Sequence, residues 1–444
     1  MKSRIKAILA SPLVWNSAKI SGSNVIMYML PLIVTPILTR LYTPEAFGEW
    51  GVFSSFVAIV NIGLFLGFEN VIIQAKEEEV PHILKICVIT SICVIAGIAL
   101  FFLGGLKDEV TFFTDFPVPY ILFIYLLLYA AYTIFYNLAN RYEQYYALSF
   151  SNIIQGGGQA LFRIILAFVC LTTINGLILG TTIALGLTAF FIFFILVRKK
   201  LLKYFSKYNI LITKQLISKY RNFPLYDAPA SLLSFAAFNL PIIILSFFFS
   251  RTDIGCFSII LQLLLMPMSL VGSAMGKVYY QRISSNTDTA IATTEEMLKI
   301  LAVISILPLL FIACGGDKLI TLFLGSQWDS AGNVALCLAL WSFPTILTQP
   351  VLPLFRVKNK QRTLLFFDTL YFISSIGSIL LTCSFVHNML LTLTIYATCC
   401  FVVKFALFIH ILYLGKISIK QFKNHILLWG LSIIILIVRL TELT

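Results

Sequence analysis

Residues 17–50 read SAKISGSNVIMYMLPLIVTPILTRLYTPEAFGEW, and this stretch decides the fold class. Its first part is apolar for longer than the roughly 20 residues that cross a bilayer, and a short polar turn separates it from the next apolar run. The same alternation continues through all 444 residues, of which 59% are hydrophobic and only 11% are charged. Soluble domains carry about 25% charged residues. The sequence therefore predicts an all-α, polytopic membrane protein, and it excludes a soluble enzyme and an outer-membrane barrel.

Apolar windows between polar breaks predict about twelve transmembrane helices. They lie near 15–39, 47–73, 82–106, 118–140, 151–173, 175–197, 226–249, 254–280, 297–314, 333–355, 364–386 and 388–413. A last apolar stretch, 425–440, is short and contains Arg439, so it is either a thirteenth span or an interfacial helix. The longest basic segment divides six spans from six. We expect an N-terminal lobe at 1–197, a cytoplasmic linker at 198–223, a C-terminal lobe at 224–414 and a tail at 415–444.

Lysine and arginine are distributed very unequally between the two sets of alternating loops. The set that begins with the N-terminus holds 22 of these residues, eight of them in the linker, and the other set holds four. Basic residues beside spans stay in the cytoplasm, so we predict a cytoplasmic N-terminus. The net charge of +13 follows largely from this orientation. It indicates contact with anionic membrane lipids and makes a nucleic-acid partner unlikely.

The first and seventh spans share a pattern of residues at an offset of 210 positions. At about 100° per residue, each set forms one stripe on its helix. The pairs are Ser17 with Asp227, Ser21 with Ser231, Asn24 with Ser234, Tyr28 with Phe238, and Pro31 with Pro241. The turns that follow, 44–48 and 251–255, both end in glycine. The pattern predicts two lobes related by a parallel repeat, with polar stripes that face a central cavity and prolines that act as hinges.

Charged residues inside predicted spans are expensive and indicate function. Arg163 lies near the centre of the fifth span, on the side that carries Gln155 and Gln159, and Lys404 lies mid-span in the twelfth. We interpret these four as candidates for the substrate cavity; for Arg163, a buried pair with an acid is an equal alternative. Three acids near the cytoplasmic mouth are candidates for ion coupling: Glu69, Asp227 and Asp368. The run 77–79, three glutamates, is expected to be a solvated loop.

Nothing in the sequence indicates catalysis. The four histidines are scattered over span ends, the nine cysteines lie almost entirely in apolar windows without metal-ligand spacing, and no glycine-rich phosphate loop is present. We therefore predict a protein that is not an enzyme and that needs no cofactor or metal. A proton or sodium gradient is the candidate source of energy.

The segment from Leu30 to Trp50 resembles the opening of the Wzx-type O-antigen and polysaccharide flippases, which belong to the multidrug/oligosaccharidyl-lipid/polysaccharide exporter superfamily. In that family the first outward turn has a Pro-Glu-x-Phe-Gly form, here 44–48, and a Gly-x-Glu-Asn-like end follows the second helix, here 67–70. The resemblance implies an alternating-access flippase for a polyprenyl-diphosphate-linked oligosaccharide, which serves O-antigen, lipopolysaccharide or other polysaccharide biosynthesis. The resemblance also implies a bacterial inner membrane as the location, and other polysaccharide assembly proteins as partners.

Two alternatives remain open on the sequence. An ion-coupled drug or cation antiporter of the same superfamily would need acids in its cavity, whereas the central charges here are Arg163 and Lys404. An integral-membrane glycan acyltransferase or polymerase would need a buried histidine, paired acids or a large outward loop, and the sequence indicates none of these.

Overall fold

The computed structural model describes residues 12–103, 119–169, 175–201, 210–285, 290–358 and 360–441, and almost all of them are helical. The α-helices of this part are α1 (Pro12–Leu41), α2 (Pro44–Gly63), α3 (Phe68–Gln74), α4 (Val80–Leu103), α5 (Pro119–Arg141), α6 (Tyr145–Val169), α7 (Gly176–Arg198), α8 (Ile210–Lys219), α9 (Ala228–Leu245), α10 (Arg251–Ser285), α11 (Ala290–Phe311), α12 (Asp317–Leu324), α13 (Asp329–Thr348), α14 (Pro353–Val357), α15 (Gln361–Phe385), α16 (Met389–Leu414) and α17 (Lys423–Thr441).

The prediction of an all-α polytopic membrane protein is confirmed. In the described residues, eleven helical segments are long and apolar enough to cross a membrane, and a shorter apolar helix lies at His425–Thr441. The predicted span near 254–280 lies within α10, several of whose side chains are outside the described part. The predicted span at 47–73 differs from the structure: it consists of α2 and the separate short helix α3. Leu66 and Gly67 adopt positive φ angles of 52° and 83°, which end the first helix before α3 begins.

Polar residues set the ends of several helices. The side chain of Asn175 accepts a hydrogen bond from the backbone N–H of Leu177 at the start of α7, at 2.9 Å. Asn388 caps α16 in the same way through the N–H of Leu391, at 3.1 Å. These side chains satisfy backbone donors that a helix leaves open at its N-terminus.

The described chain divides into two compact units. One contains Met1–Leu41 and Phe53–Phe235, and the other contains Tyr42–Val52 and Ala236–Thr444. In the first unit, α6 packs against both α1 and α7, and α7 also packs against α5. In the second unit, α13 is the central helix and packs against α10, α11 and α16. The side chains of Trp328 and Trp341, at this centre, are fully buried.

The second unit contains a reciprocal backbone contact between α2 and α10, the helices that follow the two matched turns. A Cβ on Gly48 would lie 1.9 Å from the carbonyl oxygen of Arg251, and a Cβ on Gly255 would lie 1.8 Å from that of Pro44. Only glycine allows backbones to approach so closely. Such reciprocity is typical of two segments related by a twofold axis.

The last helix, α17, packs along the second unit. Arg439 forms a bidentate ion pair with Asp317, at 2.7 and 2.8 Å, and also donates to the carbonyl oxygen of Ile312 at 3.2 Å. The ring of Trp429 packs 4.7 Å from that of Phe343. The apolar stretch at 425–440 is therefore an integral part of this unit.

Two of the glutamates at 77–79 bind other elements of the first unit. The run is a turn in which Glu77 and Glu78 are exposed, as expected of a solvated loop, whereas Glu79 is half-buried. Glu77 accepts hydrogen bonds from Arg141 and Tyr142, at 3.1 and 2.8 Å. Glu79 accepts hydrogen bonds from Lys219 and Tyr220 at the end of α8. The helix α8, in the basic segment, is thereby attached to α4.

Candidate functional site

Arg163 is a buried cation in the first unit. It lies on α6 with 4% of its surface exposed, and its Nη2 donates a hydrogen bond to the Thr181 hydroxyl on α7 at 2.8 Å. Thr181 donates in turn to the carbonyl oxygen of Leu177 at 2.7 Å, so its lone pairs face the guanidinium. The two helices meet closely here, because a Cβ on Gly180 would lie 2.9 Å from the Arg163 nitrogen and Cγ. The Thr181 hydroxyl thus fixes the orientation of the guanidinium group of Arg163.

A polar contact joins α1 to α6 about three turns before Arg163. The amide of Asn152 donates to the Asn24 side chain at 2.7 Å and to the Ser23 hydroxyl at 3.2 Å. Asn24, one of the predicted cavity residues, therefore takes part in helix packing. Gln155 and Gln159 are half-buried on α6, and within the described residues the Oε1 atom of Gln155 is buried without a hydrogen-bond partner.

The remaining stripe residues have different environments. Ser17, Ser21 and Tyr28 belong to α1, but their side chains lie outside the described part. On α9, Ser234 is exposed and donates to the carbonyl oxygen of its own helix at Ala230, at 3.1 Å, and Ser231 is half-buried. The stripe remains a prediction.

Lys404 is the corresponding buried cation of the second unit. It lies on α16 with 5% of its surface exposed, and its Nζ lies 4.2 Å from the ring centroid of Tyr371 on α15. Asp368, one turn before Tyr371, interacts electrostatically with the ammonium group. The hydroxyl of Tyr371 accepts a hydrogen bond from the indole N–H of Trp341 at 2.9 Å. Two residues predicted for separate roles, Lys404 and Asp368, therefore belong to one cluster, which a cation–π contact stabilises.

Glu69 and Asp227, two acids of the first unit, interact electrostatically. Glu69 lies on α3, and Asp227 ends the π-helical turn that leads into α9. In the described structure the Oε2 atom of Glu69 is buried without a hydrogen-bond donor. Burial, together with the nearby Asp227 carboxylate, raises the pKa of Glu69 to about 7. Glu69 can therefore gain or lose a proton near neutral pH, whereas Asp227 is exposed.

The two predicted hinge prolines lie inside helices, and each removes a backbone hydrogen bond. Pro241 leaves the carbonyl oxygen of Ala237 without its helical donor, and the hydroxyl of Ser375 on α15 donates to it at 3.2 Å. Pro31 does the same to Met27, against which α6 packs so closely that a Cβ on Gly156 would lie 2.7 Å from that oxygen. A neighbouring helix therefore covers each freed carbonyl.

Sequence reasoning missed two features. One is a column of four tyrosines on α5, at residues 125, 129, 132 and 136. Their spacing of four, three and four residues places them on one helical face, and this spacing could have indicated the column. The other is the pair of Asp317 and Arg439, which lie 122 residues apart and which no local pattern predicts. Among the described residues, no group of three or more His, Cys, Asp or Glu side chains could hold a metal ion.

Several solved structures share the fold of this chain. An inward-facing multidrug resistance MATE family transporter of the MOP superfamily is similar over 89% of this chain and 96% of its own, with a TM-score of 0.65 and 15% identity. The lipid II flippase MurJ, in an inward closed conformation, is similar over 97% of this chain and 92% of its own, with a TM-score of 0.61 and 14% identity. A MOP superfamily transporter from Pyrococcus furiosus, described as having a binding pocket of reverse polarity, is similar over 90% and 95%, with a TM-score of 0.58 and 12% identity. The chain thus has the fold of the MOP superfamily.

Residues 37–333 match the model of a family described as "Polysaccharide biosynthesis protein", which covers well over half of the chain. The chain belongs to this family. The resemblance found in residues 30–70 is therefore confirmed at the level of family and fold. No curated protein matches the sequence.

Proposed function

We propose that this protein is a flippase that moves a polyprenyl-diphosphate-linked oligosaccharide from the cytoplasmic to the periplasmic leaflet of a bacterial inner membrane. The observation that carries the proposal is the pair of buried cations, Arg163 and Lys404, one within a span of each unit. Charged residues inside membrane spans are expensive, and they often mark substrate pathways. A diphosphate is an anion that both cations can bind, and membership in a polysaccharide biosynthesis family supports a sugar-bearing lipid as its carrier.

Energy for this movement comes, in our proposal, from a proton gradient coupled through Glu69. Its buried carboxyl, with the pKa near 7 given above, changes charge across the pH difference between the two sides of the membrane. If the exchange of one proton is coupled to the movement of one charged head group, the proton gradient drives the alternating-access cycle. Asp227, its exposed neighbour, would relay the proton to water.

A complementation experiment tests the proposal. The chain is expressed in a strain of matching polysaccharide type that lacks its own flippase, and both the exported polymer and the lipid-linked unit retained on the cytoplasmic side are measured. We expect wild type to restore the polymer, Arg163→Ala to lose most of it at equal membrane levels, and Arg163→Lys to keep part of it. Arg198→Ala is the matched control, because Arg198 is exposed at the end of α7.

A drug or cation antiporter is the second candidate, and the fold shared with a multidrug transporter favours it. Its discriminating result is resistance to hydrophobic cations without any restored polymer. That outcome would replace the flippase proposal, whereas full export by Arg163→Ala would retain the flippase and give Arg163 a structural role.

A further inference from the structure

Four tyrosines form a continuous column along one face of α5. The ring centroids of Tyr125 and Tyr129 lie 6.2 Å apart, those of Tyr129 and Tyr132 lie 6.3 Å apart, and those of Tyr132 and Tyr136 lie 5.5 Å apart. Their spacing keeps them within about 60° of arc over roughly 16 Å of helix. All four side chains are half-buried, so part of each ring is accessible.

The surroundings of the column are polar as well as aromatic. Tyr125 packs 5.4 Å from the ring of Phe53 on α2, lies beside the side chain of Asn61, and interacts electrostatically with Arg163. Tyr129 interacts electrostatically with Glu69. The first ring of the column thus lies near the buried cation of the first unit and the second ring near its buried acid, on a helix that is long and apolar enough to cross a membrane.

Polar oxygens near the column lack hydrogen-bond donors in the described structure. They are Oδ1 of Asn61 and Oε2 of Glu69, both buried. Oε1 of Gln155 is a further buried oxygen without a donor among the described residues, and it lies on α6 about two turns before Arg163. Every one of these atoms accepts hydrogen bonds. A buried acceptor without a donor is costly, so a ligand that fits this face must donate from several positions.

A ligand of this face needs surfaces that pack on aromatic rings and groups that donate hydrogen bonds, and sugar rings have both. Their hydroxyls donate hydrogen bonds around the rim, and the C–H groups on each face of the ring pack on aromatic rings. A purely apolar lipid would leave the acceptors unsatisfied, and a hydrophobic cation would not stack beside Arg163. Since four rings stand in line, consecutive sugars of one chain can be bound together or passed from ring to ring.

We propose that the tyrosine column of α5, residues 125, 129, 132 and 136, binds the sugar part of the transported lipid by stacking, while Arg163 takes its diphosphate. This inference rests on the proposed function and deepens it, because it assigns recognition of the sugar to residues other than the charged ones. A column that only packs helices would make no distinction between lipids with and without sugars.

The test is equilibrium binding to the full chain in nanodiscs. Two probes are used: the lipid-linked oligosaccharide extracted from cells in which the chain has been deleted, and polyprenyl diphosphate without sugar. The variants are Tyr129→Leu, Tyr132→Leu and the ring-preserving Tyr129→Phe. Tyr120→Leu is the matched control, because Tyr120 lies on the same helix and is 58% exposed, away from the column.

We expect each leucine variant to weaken binding of the oligosaccharide lipid about tenfold, the magnitude of one lost stacking contact. Binding of the sugar-free lipid should not change, which also shows that the variants are folded. Tyr129→Phe and Tyr120→Leu should remain within about twofold of wild type for both probes, since neither removes a stacking ring.

The outcomes separate the two proposals. If wild type prefers the oligosaccharide lipid and the leucine variants keep that preference, the tyrosine column does not recognise sugar and only this inference is overturned. If a leucine variant weakens both probes equally, the column acts through packing and the inference is likewise overturned. If wild type binds both probes equally, the chain does not recognise the sugar and this inference is overturned, whereas a wild type that binds neither probe contradicts the proposed function itself.

Discussion

Replacement of Gly48 or Gly255 by alanine should separate two helices of the second unit. The added Cβ would lie 1.9 Å from the carbonyl oxygen of Arg251 in one case and 1.8 Å from that of Pro44 in the other, where ordinary contacts are 3.4–4 Å. The obstructing atoms belong to the backbone, so no side-chain rotation relieves the clash, and α2 must move away from α10 by more than an ångström. Overpacking costs about 1–3 kcal/mol, and a backbone clash belongs at the upper end of that range. We expect a loss of about 2–3 kcal/mol for each variant.

The double variant provides the stronger evidence. Because one separation of the helices relieves both clashes, Gly48→Ala with Gly255→Ala should cost at least about 1 kcal/mol less than the sum of the single variants. The control is Gly97→Ala on α4, where a Cβ would meet no atom within 4 Å. That change should be neutral or stabilising by up to about 1 kcal/mol, since alanine favours helix.

The assay is the fraction of monodisperse protein after heating in detergent, measured by size-exclusion chromatography. A loss of 2–3 kcal/mol should lower the apparent midpoint by roughly 4–12 °C. If Gly48→Ala melts like Gly97→Ala, the close contact does not exist in the membrane protein. If the double variant is fully additive, the two glycines do not share one interface.

Asp317→Asn should destabilise the second unit by about 3 kcal/mol, because it leaves the partly buried Arg439 without its carboxylate partner. The melting midpoint should therefore fall, and it should partly recover when Arg439→Leu is added. An unchanged midpoint in Asp317→Asn would contradict this prediction. Lys404→Met should lower the melting midpoint, because it removes the cation–π contact with Tyr371 and leaves Asp368 without its cation, and it should reduce polymer export at least about tenfold; unchanged export would make Lys404 structural. Burial alone would raise the pKa of Glu79, but hydrogen bonds from Lys219 and Tyr220 hold this pKa below its usual 4.5. The hydrogen bond to Glu79 also raises the pKa of Lys219 above 10.5. The stabilisation from the pair of Glu79 and Lys219 should therefore be complete between about pH 4.5 and 10.5, and it should disappear as the pH falls below or rises above that window. In Glu79→Gln this stabilisation is absent, so the melting midpoint of the variant should not fall at the acidic edge as that of wild type does.

The sequence predicts the helical architecture because each span must satisfy its own backbone hydrogen bonds and cover itself with apolar side chains, and both properties are local. The same locality explains the match of Pro31 with Pro241: each lies inside its helix, and a neighbouring helix covers the carbonyl that it frees. The prediction of one continuous span at 47–73 failed at Gly67, because the apolar pattern does not indicate the positive φ that separates α2 from α3.

Side-chain partners depend on how helices pack, and they were less predictable. Arg163 could be singled out from its position alone, but the sequence did not indicate that a threonine on α7 would accept its hydrogen bond. Glu79 looked solvated because its partners, at 219 and 220, lie far along the chain. The environment of Lys404, over Tyr371 and beside Asp368, likewise needs two helices in their packed positions.

Transbilayer movement of the lipid itself is the most direct test of the proposed function. The purified chain is reconstituted into vesicles that contain the lipid-linked oligosaccharide on both leaflets and a fluorescent phosphatidylcholine as control. An impermeant glycosidase added outside then cleaves the sugar only from the outer leaflet, and the size of the slow second phase reports the supply from the inner leaflet. We predict that wild type removes this slow phase for the oligosaccharide lipid and leaves the phosphatidylcholine unmoved, while Arg163→Ala retains the slow phase. Kinetics equal to those of protein-free vesicles, or equal movement of phosphatidylcholine, would contradict the flippase proposal.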